Sequence, residues 1–208
     1  MNFNFLLGVN KKMYSTPKKV LKIIVAGNGG IGKTTLMKSF CYREYAEDQR
    51  LTVGTEIFIK KFVVDDQVEF MQVWDLGGQE HFRFFLKGLV KGAHGAILGF
   101  DIKRRNSFID LKKWLALLRS ADPDIPIVLV ATKLDLGYHP TLTPELARKF
   151  VEENNLIGFV EISSKEKYNL EVPFRVLITN RFGCTDEKIP KFLDYELETN
   201  HKGIKSVS

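Results

Sequence analysis

Cysteine is nearly absent from these 208 residues, with only Cys41 and Cys184 present. Two isolated thiols cannot build a disulfide framework or a zinc site, so a reducing cytosol is the expected compartment. Cys41 sits in a helix-like segment and reads as a small core side chain. No apolar run approaches the roughly 18 residues that a membrane span requires. Acid is missing from the first 22 residues, which carry Lys11, Lys12, Lys18, Lys19 and Lys22. That arm holds five of the +6 net charges, whereas the last 24 residues carry four lysines and five acids. The basic character is therefore an N-terminal arm and not a nucleic-acid-binding face, and no nucleic-acid partner is expected. The apolar tip Met1 to Gly8 is too short for a signal peptide, and its charges lie on the wrong side. Internal repeats and low-complexity tracts are also missing. What remains is an ordinary globular composition, 44% apolar and 27% charged, suited to one α/β domain with extensions.

The most informative feature present is Gly27-Asn28-Gly29-Gly30-Ile31-Gly32-Lys33-Thr34, which reads G-x-x-x-x-G-K-T. It follows the β-branched run Val20 to Ala26 and precedes a helix-favouring stretch from Thr35 to Arg43. Strand, glycine loop and helix stand in the order of a phosphate-binding loop. Glycines let successive N–H groups point at one anion, and the helix N-terminus adds partial positive charge. Lys33 would reach the β- and γ-phosphates, and Thr34 would offer its hydroxyl to Mg²⁺. Gly27, Gly29 and Gly32 also satisfy G-x-G-x-x-G, the dinucleotide fingerprint. That reading needs an acid about 20 residues on, where Thr52 and Val53 stand, and gives Lys33-Thr34 no role. A nucleoside triphosphate is the expected ligand.

Strand-like segments at 20–26, 56–64, 68–74, 95–100, 126–131 and 157–162 alternate with helix-like segments at 33–43, 80–91, 106–120, 143–154 and 169–181. Phe108, Leu111, Trp114, Leu115 and Leu118 form a stripe at helical spacing that should face a core. Asp65-Asp66 should make a tight turn between two antiparallel strands. The expected fold is one doubly wound, mostly parallel six-stranded sheet with helices on both faces and one antiparallel edge strand. The expected organisation is a basic arm at 1–18, a nucleotide-binding domain at 19–182 and a tail at 183–208.

Further motifs end the predicted strands, where ligands of parallel sheets bind. Asp75-Leu76-Gly77-Gly78-Gln79 could hold a magnesium-bound water through Asp75, contact the γ-phosphate through the Gly78 N–H and orient an attacking water through Gln79. Thr52 lies in a polar loop long enough to reach over the phosphates, where it could ligate Mg²⁺ only while a γ-phosphate is present. In Thr132-Lys133-Leu134-Asp135, the Asp135 carboxylate could accept both N1–H and N2–H₂ of guanine, a pair that adenine lacks. The Lys133 stem could cover the base. Ser163-Ser164-Lys165 could offer backbone N–H groups to the guanine oxygen. Arg50 reads as a solvated loop residue.

Gly27 to Thr34, Thr52, Asp75 to Gln79, Thr132 to Asp135 and Ser163 to Lys165, in this order, resemble the Ras superfamily of small GTPases over roughly residues 19–182. Thr52-Val-Gly-Thr-Glu56 and Val73-Trp-Asp-Leu-Gly-Gly-Gln-Glu-His-Phe-Arg83 are most similar to the Rab branch. Gly77 stands where Rab proteins carry alanine, and Leu76-Gly77-Gly78 is similar to the Arf and Gα pattern. The resemblance implies a small G domain acting as a GTP/GDP switch in signalling and vesicle transport, with slow hydrolysis that depends on Mg²⁺. It makes Lys33, Thr52 and Gln79 catalytic, and Thr34, Thr52 and Asp75 metal-binding. The nucleotide would be held by Gly27 to Thr35, Tyr45, Gly78, Thr132, Lys133, Asp135 and Ser163 to Lys165, with Tyr45 packing on the guanine face. The alternative is a tyrosine that closes the first helix onto the core. Thr132 replaces the usual Asn; its hydroxyl can tie this loop to the phosphate loop but lacks the amide's reach to N7. An effector, an exchange factor and an activating protein are the implied partners.

Residue 2 is Asn and the segment Ile204 to Ser208 has no cysteine, so neither a myristoyl nor a prenyl anchor is expected. Membrane contact would then fall to Phe3, Phe5, Leu6, Leu7 and the lysines behind them, and would be weak and reversible. Otherwise the arm is disordered, or Met13 is the true initiator. Two other functions fit the motifs less well: a GTP-binding interaction module with negligible hydrolysis, and an ATP-dependent phosphotransferase.

Overall fold

The computed structural model describes residues 20–45, 52, 54–78, 88–184 and 190–193. Its centre is the strand β1 (Val20–Ala26), whose alternating side chains feed two separate cores. Leu21, Ile23 and Val25 face one side of the sheet and pack with Leu36, Met37 and Phe40 of α1 (Lys33–Tyr42). Ile24 and Ala26 face the other side, toward Leu111, Trp114, Leu115 and Leu118 of α3 (Leu111–Ala121). The expected apolar stripe is thus a core stripe, with Phe108 half-buried beside it. The period of two in the strand divides the hydrophobic residues between two helical layers.

Around β1 the sheet runs β6-β5-β4-β1-β3-β2-β7. The strands β3 (Gln67–Leu76), β4 (Gly95–Asp101), β5 (Ile127–Thr132) and β6 (Gly158–Glu161) run parallel to β1. All residues of β4 and β5 are buried, as strands covered on both faces require. The antiparallel strand β2 (Thr55–Val64) meets β3 through a two-residue turn. Asp65 and Asp66 both have left-handed backbones, φ 48° and 58°, the type I′ geometry that aspartate tolerates and that matches strand twist. Further helices are α2 (Arg105–Ile109), α4 (Pro144–Glu153) and α5 (Val172–Phe182).

Three differences from the sequence expectation have physical causes. The sheet has seven strands, not six, because β7 (Lys191–Leu193) pairs with Lys61–Val63 of β2. The antiparallel β2 is therefore interior along those residues. Three residues are too few to display a period, and β7 is held by Phe192, whose ring meets the Phe40 ring edge-on at 4.9 Å. The helix expected at 106–120 is divided at Asp110 into α2 and α3. The helix expected from 169 begins later because Lys167 and Asn169 have φ near 55° and Pro173 occupies the first turn. Of the helix expected at 80–91, residues 88–90 are helical and 80–87 lie outside the described residues.

Candidate functional site

The loops at the C-terminal ends of β1, β3, β5 and β6 meet on one face, where a parallel sheet places its ligands. Gly27 to Gly32 leave β1 with φ of 140°, 72° and 95° at Gly27, Gly30 and Gly32. Side chains at those positions would be strained, and a Cβ at Gly27 would also meet the Gly99 carbonyl and Ile31. The backbone turn delivers Lys33 to the first turn of α1. Its ammonium donates to the carbonyls of Gly27 at 2.8 Å and Asn28 at 3.0 Å. Lys33 is only 7% exposed. Burial pushes its pKa down to about 8, Asp75 opposes that shift and Arg104 adds to it.

Thr34, Thr52 and Asp75 come together although three separate segments carry them. The Thr34 hydroxyl donates to the Asp75 carboxylate, and Thr52 Oγ1 lies 2.7 Å from Thr34 Oγ1. Asp75 is fully buried, and its Oδ1 has no hydrogen-bond partner among the described residues. Burial raises its pKa to about 6; Lys33 and the Thr34 hydroxyl pull it back, and Glu56 raises it further. An orphaned carboxylate oxygen beside two hydroxyls is a hard-oxygen set that suits Mg²⁺, which typically takes one or two carboxylates and keeps several waters.

Gly77 and Gly78 bring β3 against both neighbouring loops. The Gly77 N–H donates to the Gly54 carbonyl at 2.8 Å, and a Cβ at Gly77 would lie 2.7 Å from that same oxygen. A Cβ at Gly78 would overlap the Gly29 nitrogen. Gly78 thus closes on the phosphate loop by backbone contact. Gln79 and Arg50 lie outside the described residues.

At the other end of the groove is a cleft of about 360 Å³ lined by Gly32, Thr35, Tyr45, Thr132, Lys133, Asp135, Leu136, Ser164 and Lys165. Tyr45 is 37% exposed and faces this cleft; it does not close α1 onto the core. The Thr132 hydroxyl donates to the Ile31 carbonyl at 2.6 Å and the Phe100 carbonyl at 3.0 Å, tying the β5 loop to the phosphate loop. Lys133 donates to the Gly30 carbonyl at 3.1 Å and pairs with Asp101 at 2.8 Å. Asp135 accepts from the Ser163 hydroxyl at 2.7 Å. The Ser163 N–H donates to the Tyr168 carbonyl, so this residue acts through its hydroxyl, orienting Asp135. Its amide is therefore engaged, leaving those of Ser164 and Lys165 as the candidate donors to a base.

Asp101, Arg104, Asp110 and Trp114 support the site and escaped the sequence reading as site residues. Asp101 at the end of β4 anchors Lys133, and a carboxylate ending a parallel strand was a usable signal. Asn28 donates to Asp110 at 2.8 Å and accepts from the Trp114 Nε1–H at 2.7 Å, so the start of α3 grips the phosphate loop. Arg104 donates to the Gly29 carbonyl at 2.8 Å. Trp114 was legible only as a core residue, because its indole N–H carries no periodicity.

Residues 22–182 match the Ras family model. The chain is 35% identical over 187 residues to the Ras-related protein RABA4d of Arabidopsis thaliana, covering 89% of this chain and 84% of that one. It is 34% identical over 164 residues to the GTP-binding protein ypt3 of Schizosaccharomyces pombe, covering 78% and 76%. It is 32% identical over 170 residues to the Ras-related protein Rab11A of Lotus japonicus, covering 81% and 75%. The chain belongs to the Ras family and is a Rab-like small GTPase, a GTP-hydrolysing molecular switch.

Proposed function

We propose that the switch works by closing two loops on the terminal phosphate of GTP. The observation that carries this reading is the meeting of Thr34, Thr52 and Asp75 next to the contact of Gly78 with Gly29. In this reading Asp135, set by Ser163, selects guanine, Tyr45 lies on its face, and the amides of Ser164 and Lys165 meet its oxygen. The amides of Gly27 to Gly32 and the Lys33 ammonium hold the phosphates. Thr34, Thr52 and Asp75 would hold Mg²⁺, which when bound neutralises charge between the β- and γ-phosphates. Thr52 and the Gly78 N–H engage only GTP, since GDP offers neither contact. Gln79 orients the attacking water, and replacing it with Leu should slow hydrolysis while leaving nucleotide affinity intact.

Effectors would read the closed loops, an exchange factor would open them and an activating protein would speed hydrolysis. No helix of the described residues is long and apolar enough to cross a membrane. The N-terminal Phe3, Phe5, Leu6 and Leu7 with their lysines would give a cytoplasmic protein weak contact with anionic membranes. The nucleotide released by denaturing the purified protein tests the site assignment. Guanine nucleotide near one per chain is expected, and an adenine nucleotide would remove Asp135 from its role.

A further inference from the structure

The strand β7 stops at Leu193, but the residue pattern it opens runs on. Leu193, Tyr195 and Leu197 alternate with Asp194, Glu196 and Glu198, the period of two of a strand with one apolar face. Residues 194–208 lie outside the described residues, whereas the edge of β2 next to them is described. There β7 pairs only with Lys61–Val63, and among the described residues no strand pairs with Thr55–Lys60 on that side. Ile57 and Ile59 of this stretch are 48% and 39% exposed. An open strand edge with apolar side chains is a place where another strand adds.

The register set by β7 fixes which residues would meet. Leu193 stands opposite Lys61 and Phe192 opposite Phe62, so each further residue of the segment reaches the preceding residue of β2. Asp194 then faces Lys60, Tyr195 faces Ile59, Glu196 faces Phe58 and Leu197 faces Ile57. Directly opposed residues share a face of the sheet. Tyr195 and Leu197 therefore fall on the face of the two exposed isoleucines, where Ile57 is itself opposite Trp74. Asp194 falls on the face of Lys60, a lysine only 2% exposed whose ammonium lies over the Phe40 ring. A slip of one residue would exchange the faces and set acids against the isoleucines. Glu198 would meet Glu56, a like charge, which ends the match at Leu197.

We propose that residues 194–197 extend β7 along β2 as far as Ile57, so that the chain's own tail covers the edge beside the Thr52 loop. Continuity argues for this occupant: the segment leaves an existing β2 contact in register, with apolar residues toward apolar ones and an acid toward a lysine. A partner that adds a strand at Thr55–Lys60 must first displace the tail, which is thus a built-in competitor for that edge. None of this depends on which nucleotide the site holds.

The test is amide hydrogen exchange on the full chain, read at residues 55–60, for the unmodified protein, Tyr195→Phe, Tyr195→Pro and Glu196→Pro. Of two adjacent strand residues one directs its N–H at β2, so one of the two prolines must break the ladder. Tyr195→Phe should be protected like the unmodified protein. At least one proline variant should exchange about tenfold faster at 55–60, with β1 and β4 unchanged. Register is read by oxidation in a Cys184→Ser background. Ile59→Cys with Tyr195→Cys should close a disulfide within one chain, whereas Ile59→Cys with Glu196→Cys should not, because residue 196 points to the other face. Exchange at 55–60 alike in all four proteins, or closure of the shifted pair as readily as the matched one, would overturn the proposal. Protection that falls on dilution, or disulfides that join two chains, would give the edge to a second copy and overturn it too.

Discussion

Lys33 and Asp75 stabilise each other's charges inside a site that disfavours both. Burial drives the ammonium down to about 8 and the carboxylate up to about 6, and each moderates the other's shift. Both are therefore mainly charged at neutral pH, and the site presents a desolvated cation on one side and a desolvated anion on the other. That arrangement suits phosphate against Lys33 and a divalent cation against Asp75. In the proposed function Asp135 carries the selection of base. Asp135→Asn should weaken GTP and GDP binding by at least about 2 kcal/mol, because a charge-assisted bidentate contact is lost. Preference should move toward xanthine nucleotides, whose C2 oxygen accepts from an amide; titration with fluorescent nucleotides checks this, and unchanged GDP affinity would refute it. Cys41 has no such role. Burial pushes its thiol up to about 12, so at pH 8 iodoacetamide should label it only as fast as the native structure opens.

The elements hold the site through backbone carbonyls, which is why much of it is invisible in sequence. Thr132 illustrates this: its hydroxyl joins Ile31 and Phe100 carbonyls, and no pattern of residue types announces those partners. Thr132→Val keeps the shape and removes both bonds. It should lower stability by about 1–3 kcal/mol, read from the urea midpoint at unchanged slope, and should speed GDP release. The legible part was what periodicity and glycine placement encode. The β–loop–α order at Gly27 to Thr34, the buried runs of β4 and β5 and the Asp65-Asp66 turn follow from local chemistry. The break at Asp110, the late start of α5 and the grip of Asp110 and Trp114 on Asn28 depend on neighbours distant in the chain. β7 belongs with these. Phe192 packs against Phe40 and Phe62, and the Arg175 guanidinium lies over its ring. Replacing Phe192 with Ala should cost about 2 kcal/mol, less than for a fully buried ring. A thermal melt indistinguishable from the unmodified protein would show that the strand adds nothing.

For the whole molecule, a rigid sheet carries loops that can close on a ligand. The two cores on either face of β1 do not involve the phosphate contacts, so their stability should be independent of which nucleotide is bound. The loop around Thr52 is tied to that body through Thr34, and the turn after Leu76 is tied to that loop through Gly54, contacts that a terminal phosphate would reinforce. A partner can favour the GTP state only by the free energy that this closure represents. Amide hydrogen exchange with a non-hydrolysable GTP analogue and with GDP measures the closure directly. Segments 44–56 and 76–91 should be more protected with the analogue, while β1, β4 and β5 exchange alike in both states. Coincident profiles across the whole chain would contradict the account, leaving a domain that binds GTP without switching.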